Sequence, residues 1–188
     1  MTLKTLLRLG AAIVVVGSAG AIEAQTVVVD LTTQNSTGTN CGDGCTWSYD
    51  GIGSANNVVV TADIGADRYV VGLQWSGVVG RAADQPGTWG REMAIGLGDS
   101  VLVRYELRPF PGVTSPCPEP AGCGPAAGSV DLVALGQDFQ VGADGLLRIE
   151  FYETFDDAPD SIDAVYTAGA LTVTTSDIPV ELQRFAID

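Results

Sequence analysis

Four aspartates lie within eight residues of one segment, and they are the first group whose spacing suggests chemistry. Carboxylates this close repel one another unless water or a hard cation such as Ca²⁺ neutralises them. The segment lacks the glycine and the final glutamate of an EF-hand loop. We predict either a Ca²⁺ site or a solvated acidic turn in which an aspartate caps a short helical turn. The candidate metal ligands are Asp156, Asp157, Asp160 and Asp163.

Aromatic side chains and an arginine form the second candidate group. Exposed aromatic rings offer flat apolar faces on which sugars stack, and a neighbouring guanidinium supplies hydrogen-bond donors. The candidate ligand-binding residues are Trp47, Tyr49, Trp89 and Arg91. Trp75 stands between Leu73 and Gly77 in a predicted strand, and we expect it to lie in the core.

A pair of carboxylates is the remaining arrangement that could support catalysis, because glycosidases place two of them about 5–10 Å apart. Glu150 and Glu153 fall on opposite faces of one predicted strand and cannot converge. Glu106 and Glu150 are predicted on the wet faces of different strands. A carboxylate-dependent glycan hydrolase is therefore a third, less favoured class of function.

Other catalytic chemistries are excluded by composition. The chain has no histidine, and its single lysine, Lys4, lies in the leader described below. The mature chain therefore has no histidine base, Schiff-base lysine or Ser-His-Asp triad. The net charge is −14, and it becomes −15 when Lys4, Arg8 and Glu23 are removed with the leader. Such a surface repels nucleic acid, attracts divalent cations and gives no reason to expect another cofactor.

The first 24 residues resemble a secretory signal peptide. Lys4 and Arg8 precede an apolar stretch from Leu9 to Ile22, which is too short to span a bilayer. We predict cleavage after Ala24, with cleavage after Ala21 as the alternative. Residues 1–24 are then a signal peptide and residues 25–188 a single domain, secreted to the cell exterior or the periplasm. No later stretch reaches 18 apolar residues, so we expect no transmembrane helix.

Four cysteines in an exported chain are expected to form disulfides. They occur as two close pairs, and glycine or proline within each pair favours local bridges, although three pairings are possible. Bridges over such short loops stabilise by about 2 kcal/mol each. A zinc site is the alternative, but the spacing fits it poorly. The cysteines are Cys41, Cys45, Cys117 and Cys123.

Short β-branched segments separated by Gly, Asn, Asp and Pro predict an all-β fold. We expect an antiparallel two-sheet β-sandwich, jelly-roll-like, with about 8–10 strands. Alternation is clearest in two segments, where Val101, Val103, Tyr105 and Leu107 share one side and where Leu147, Ile149 and Phe151 point inward. A long loop is predicted at Pro109–Gly128, and a short helical turn near Ser161–Tyr166. The predicted strands are Thr26–Thr32, Thr46–Tyr49, Asn57–Ile64, Tyr69–Val79, Arg91–Leu97, Val101–Arg108, Ser129–Leu135, Leu146–Glu153, Ala170–Thr175 and Val180–Phe185.

Several segments resemble β-sandwich surface domains of exported bacterial proteins, of the kind that often carry a C-terminal sorting tail. The similar segments are Val71–Trp75, Thr88–Ile95, Arg108–Gly112, Gly145–Asp157 and Asp163–Ala164. More loosely, they are similar to jelly-roll modules found beside secreted hydrolases. The resemblance implies secretion and a jelly-roll-like sandwich, and it implies no particular activity. The chain departs from the anchored members because it lacks a terminal apolar helix with basic residues.

These features together predict a non-catalytic, secreted or cell-surface binding module. Its expected ligand is a glycan or another cell-surface component, with one Ca²⁺ at the aspartate segment. The alternative is a structural or adhesive subunit of an extracellular or envelope assembly, in which an exposed edge strand mediates self-association.

Overall fold

Two antiparallel sheets pack against each other in the computed structural model, which describes residues 24–31, 46–48, 51–82, 89–117, 122–155 and 164–177. A 3₁₀ turn at Gly90–Glu92 and one helical turn, α1 at Leu132–Leu135, accompany the strands of these ranges. The strands are β1 (Gln25–Asp30), β2 (Thr46–Ser48), β3 (Val58–Asp63), β4 (Tyr69–Ala82), β5 (Met93–Gly98), β6 (Val103–Leu107), β7 (Cys123–Asp131), β8 (Phe139–Gln140), β9 (Leu146–Glu153) and β10 (Ala164–Ser176).

The strand order confirms the predicted jelly-roll sandwich. Sheet A runs β1-β10-β4-β7, with the short β2 and β8 pairing with β10 and β4, and sheet B runs β3-β9-β5-β6. The chain crosses between the sheets at most connections, and β5 and β6 are consecutive neighbours in sheet B. Eight long strands interleaved in two four-stranded layers are the jelly-roll arrangement.

The core lies between the sheets and follows the alternation of the strands. Leu147, Ile149 and Phe151 of β9 are completely buried, as predicted, and the bounds of β9 match the predicted ones. The Phe151 ring meets Tyr166 of β10 edge-on, with ring centroids 5.4 Å apart. Trp75 packs against this core, which confirms the prediction for it.

One predicted face is wrong in β6. Leu97 pairs with Tyr105 but Gly98 pairs with Val103, so Arg104 is the extra residue of a β-bulge. The bulge turns Val103 to the outer face, where its methyl groups lie over Gly96. Val101 precedes the strand and is 87% exposed. The inward set is therefore Tyr105 and Leu107, without the two valines.

The region after the predicted long loop also differs. Cys123–Gly128 belongs to β7 because it pairs with β4, so the loop is shorter than Pro109–Gly128. The predicted strand Ser129–Leu135 is confirmed only as far as Asp131. Its remainder forms α1, because Asp131 accepts a hydrogen bond from the Ala134 amide, 3.0 Å away, and Gly136 closes the turn in a left-handed conformation.

The last strand starts earlier than predicted. β10 begins at Ala164 and pairs there with both β2 and β4, so the helical turn predicted near Ser161–Tyr166 is wrong for residues 164–166. Residues 161–163 and the predicted strand Val180–Phe185 lie outside the described residues. Within the described ranges, no helix is long and apolar enough to cross a membrane.

Arg68 joins the first and last strands of the described chain. Its guanidinium donates to the side-chain carbonyl of Gln25 at the start of β1. It also pairs with Asp177 just after β10, with 2.8 Å between Nη2 and Oδ1. Arg68 is buried, so this link fixes the edge strand β1 against its neighbour β10.

Candidate ligand-binding site

Trp89 stands at the entrance to β5, where its backbone is held from two sides. The Trp89 amide donates to the Glu92 carboxylate at 2.8 Å, and the Glu92 amide donates to the Trp89 carbonyl at 2.9 Å. The Glu92 carbonyl then accepts the Thr154 amide at the end of β9. The 3₁₀ turn that carries Trp89 is therefore closed by its own hydrogen bonds and attached to the end of β9.

A loop closed by a disulfide packs against this turn. Cys117 and Cys123 are bridged with their Cα atoms 5.0 Å apart, which confirms the predicted local pairing. Both sulfurs pack on Gly90, where a Cβ atom would approach them to 2.9 Å. Glycine is required here because a larger residue would displace the bridge. The Cys41–Cys45 pair lies outside the described residues.

Backbone bonds connect that loop to Trp89 and its neighbours. The Gly90 amide donates to the Ser115 carbonyl at 3.2 Å, and the Arg91 amide to the Val113 carbonyl at 3.0 Å. Trp89 itself forms an isolated β-bridge with Pro116. The disulfide thus fixes the orientation of the residues that present Trp89.

The Arg91 guanidinium lies over the Trp89 ring, 4.3 Å from its centroid. Stacking of this kind contributes about 0.5–1 kcal/mol at exposed sites. Arg91 remains 44% exposed, and its Nε is 3.8 Å from a Glu92 carboxylate oxygen. The structure therefore brings together two of the four predicted ligand-binding residues.

A line of polar groups continues from Arg91 across the outer face of sheet B. Arg108 donates to the Arg91 carbonyl at 3.5 Å and to the Glu106 carboxylate at 2.6 Å. The Tyr152 hydroxyl donates to the second oxygen of Glu106. Burial, the bond to Glu106 and the negative charges of Glu106 and Glu150 raise the pKa of Tyr152 well above its usual value, against a smaller opposing effect of Arg108. The hydroxyl therefore stays protonated and acts as a donor.

Sequence reasoning did not place Arg108 and Tyr152 in this site. Arg108 and Glu106 are two apart on one strand, so their shared face was readable from the sequence. Tyr152 joins them only because β5 separates β6 from β9, and β5 has small residues, Ala94 and Gly96, facing outward. That strand order is not visible in the sequence.

The predicted carboxylate pair is brought onto one face but does not form an open site. Glu106 and Glu150 both pair with Gly96, one on each side. Glu150 is 0% exposed, so it is buried rather than wet. Its oxygens accept from the Gly53 amide at 2.6 Å, from Asn57 at 2.8 Å and from Arg148. This carboxylate serves as an anchor for the turn at residues 51–57.

The other predicted site residues are not brought to Trp89 by the described structure. Trp47 lies in β2, where its backbone pairs with Val165, but its side chain is outside the description. Tyr49 and the four aspartates, Asp156, Asp157, Asp160 and Asp163, lie outside the described residues. In the ranges that are described, no cluster of three or more acidic or cysteine side chains could hold a metal. The Ca²⁺ site remains a prediction.

A shallow groove of about 590 Å³ lies at the opposite end of the sandwich, beside the β5–β6 hairpin. Asp99 shapes the hairpin by accepting the amides of Val101 and Leu102, each at 2.8 Å, and by pairing with Arg104. Burial alone would raise the Asp99 pKa, but these bonds lower it overall. The carboxylate is thus occupied in holding the turn.

Comparisons with known proteins identify no family for this chain. No protein-family model matches it, and no curated protein matches it. A solved structure of the infectious bursal disease virus VP2 subviral particle is similar to it with a TM-score of 0.25 and 11% sequence identity. That similarity covers 92% of this chain and 37% of the VP2 chain, so this chain spans well under half of that protein. A TM-score this low assigns neither a fold nor a function.

Proposed function

We propose that this chain is a non-catalytic binding module of an exported protein and that it binds a glycan at Trp89 and Arg91. One observation carries the proposal: an aromatic ring and a half-exposed guanidinium are stacked and held in place by a disulfide-closed loop. Rigid presentation favours binding because little side-chain freedom is lost when a ligand arrives. The bridged cysteines also fit an oxidising compartment.

The Arg91 guanidinium supports an acidic sugar as the ligand. Arg108 is already bound to Glu106, whereas Arg91 approaches Glu92 only to 3.8 Å, which is longer than a hydrogen bond. Guanidinium groups bind carboxylates through paired, charge-assisted hydrogen bonds. A polysaccharide that contains uronic acid supplies both such a carboxylate and an apolar sugar face.

A glycan array and calorimetry with a uronic-acid oligosaccharide test this function. We expect selective retention of acidic glycans, with affinity that falls as salt rises. Trp89→Ala and Arg91→Gln should each weaken binding by at least about tenfold. Arg104→Gln is the matched control, because Arg104 is also about half exposed, at 47%, and also lies beside a carboxylate, that of Asp99, but at the other end of the sandwich.

Two results would refute the proposal. If no glycan on the array is selectively retained, the chain does not bind glycans as proposed. Equal loss of affinity in Arg91→Gln and Arg104→Gln would show a general charge effect in place of a site. The Cys117→Ser/Cys123→Ser double variant should also bind more weakly, because Trp89 then loses its fixed support.

A structural or adhesive subunit is the second candidate function. The specific observation that favours it is the position of β1 at the edge of sheet A among the strands that the structure describes.

A further inference from the structure

The outer edge of β1 presents backbone groups that can pair with another strand. Among the described residues, β1 has β10 on one side and no strand on the other. The Leu31 amide donates to the Gly169 carbonyl at 3.0 Å. This bond continues the register in which Gln25 pairs with Thr175 and Asp30 with Ala170. Backbone groups alternate in direction along a strand, so the odd-numbered residues face β10. Thr26 and Val28 therefore direct their N–H and C=O groups away from the sheet.

The centre of β1 has none of the features that discourage pairing. Natural edge strands are usually protected by charged side chains, proline, inward charges or bulges, and the single charge of β1, Asp30, is its last residue. β7 contains Pro125, which has no N–H, and β6 contains a bulge at Arg104. β1 has an uninterrupted Thr-Val-Val-Val run, and Val28 is 65% exposed.

The two strands next to β1 carry no charge on the outer face beside Thr26 and Val28, which matters for a second copy of an acidic chain. One row runs through Thr26, Thr174 and Gly72 and reaches its single charge at Asp131 in β7, the strand farthest from β1. The other row runs through Val28, Thr172, Gln74 and Ser129 and has no charge. Two molecules of net charge −14 repel each other least where they approach through such a surface.

The other valine-rich edge, β3, has different surroundings. Thr61 and Val59 of β3 pair with Arg148 and Glu150 of β9. A copy that approached along β3 would therefore meet an ionic pair on the adjacent strand. This contrast favours β1 as the edge through which like molecules meet.

We propose that two copies of this chain form a symmetric dimer through β1, with the two β1 strands antiparallel and the two-fold axis at Val27. In this register Thr26 of each copy pairs with Val28 of the other. The backbone groups of Thr26 and Val28 then make four hydrogen bonds, and outer faces continue into outer faces. The two Asp30 residues stand at opposite ends of the paired segment, about 20 Å apart by strand rise. The dimer is independent of the glycan site, which lies at Trp89.

Light scattering after size exclusion tests the dimer with the full chain expressed with its own leader. We expect a dimer that dissociates on dilution and is strengthened by salt, because salt screens the repulsion. Val28→Pro removes an outward N–H and should give a monomer without loss of the fold. Val59→Pro is the matched control: it is an exposed valine, at 42%, and its N–H also points outward on an edge strand. It should leave the dimer intact.

Cysteine cross-linking tests the register, including the case in which Val28→Pro fails to fold. Cα atoms in a hydrogen-bonded antiparallel pair are about 5.5 Å apart, within the range of a disulfide. An equal mixture of Thr26→Cys and Val28→Cys chains should form a mixed disulfide dimer in air, and neither variant alone should do so. A monomer at every concentration, equal effects of Val28→Pro and Val59→Pro, or cross-linking of Val28→Cys with itself would each overturn the proposal.

Discussion

The outer faces of the two sheets present different kinds of polar group to water. Sheet B carries charged side chains that are all engaged with partners, including Glu150 with Arg148 and Glu106 with Tyr152 and Arg108. The rows of sheet A that run from β1 carry hydroxyls and an amide, and they reach a charge only at Asp131 of β7. The ion pairs of sheet B fix connecting segments, whereas the rows of sheet A that start at β1 have no ion pair among the described residues.

The difference depends on β5, the central strand of sheet B. Its outward residues are Ala94, Gly96 and Gly98, so β5 leaves room above itself. Tyr152 reaches from β9 across this space to Glu106 on β6. In sheet A the central strands β10 and β4 carry Thr172 and Gln74 on the outer face. Among the described contacts, no side chain crosses either strand as Tyr152 crosses β5.

The largest expected effect comes from removing the buried carboxylate of sheet B. Glu150→Ala removes the carboxylate that accepts from Arg148, Asn57 and the Gly53 amide, and breaking such a buried pair costs about 3–5 kcal/mol. Gln74→Ala, on the exposed face of sheet A, should change the free energy of unfolding by less than about 0.5 kcal/mol. Urea denaturation of both variants measures the contrast. Equal effects would show that the two faces do not differ energetically.

A smaller effect is expected when side chains are added to the central strands. A Cβ atom at Gly96 would lie 3.0 Å from the methyl groups of Val103 and 3.1 Å from the Tyr152 ring. Gly96→Ala should therefore cost about 1–3 kcal/mol. Gly72→Ala in sheet A meets its nearest atom at 3.4 Å, so it should be neutral or slightly stabilising. Thermal unfolding distinguishes them, and a tolerated Gly96→Ala would mean that Tyr152 can move aside.

The smallest effect concerns the Tyr152 hydroxyl and appears mainly at high pH. Its folded pKa is raised by burial first and then by Glu106, so the folded state holds the proton more tightly than the unfolded state. Stability is therefore fully present below the unfolded pKa of about 10 and decreases as pH rises above it. Tyr152→Phe should cost about 1 kcal/mol at pH 7 and lose stability less steeply above pH 10. An unchanged alkaline slope in urea titrations would show that Tyr152 does not contribute.

Tyr166 remains as an internal reference in that titration. Its pKa is also raised, by complete burial and by the charge of Glu153, and it lies in the core instead of on the face. The alkaline loss of stability should therefore be reduced, but not abolished, in Tyr152→Phe.

Strand positions were predictable from the sequence wherever side chains alternate without interruption. β9 is the clearest case, because every second residue from Leu147 to Phe151 is apolar and the strand has no glycine. The local pairing of Cys117 with Cys123 followed from the short glycine- and proline-containing loop. These features depend on neighbours along the chain.

The features that were missed depend on partners distant in sequence. Glycines predict turns, yet Gly77, Gly80 and Gly169 lie within the long strands β4 and β10, near shifts in their register. Gly169 has a positive φ and lies against the backbone of Val78, which no local pattern reveals. The Glu106–Tyr152 contact likewise requires the order of strands in sheet B. Trp89 was recognised by type, but its support from the disulfide loop was not.

The link that Arg68 makes between Gln25 and Asp177 has a mechanical consequence. Gln25 pairs with Thr175, so the two residues at which tension would enter this strand pair lie at the same end of it. If the chain segments that flank β1 and β10 were pulled in opposite directions, the hydrogen bonds between the two strands would break one after another from this end instead of all together. The Arg68 bonds would break first, and this strand pair should separate at low force.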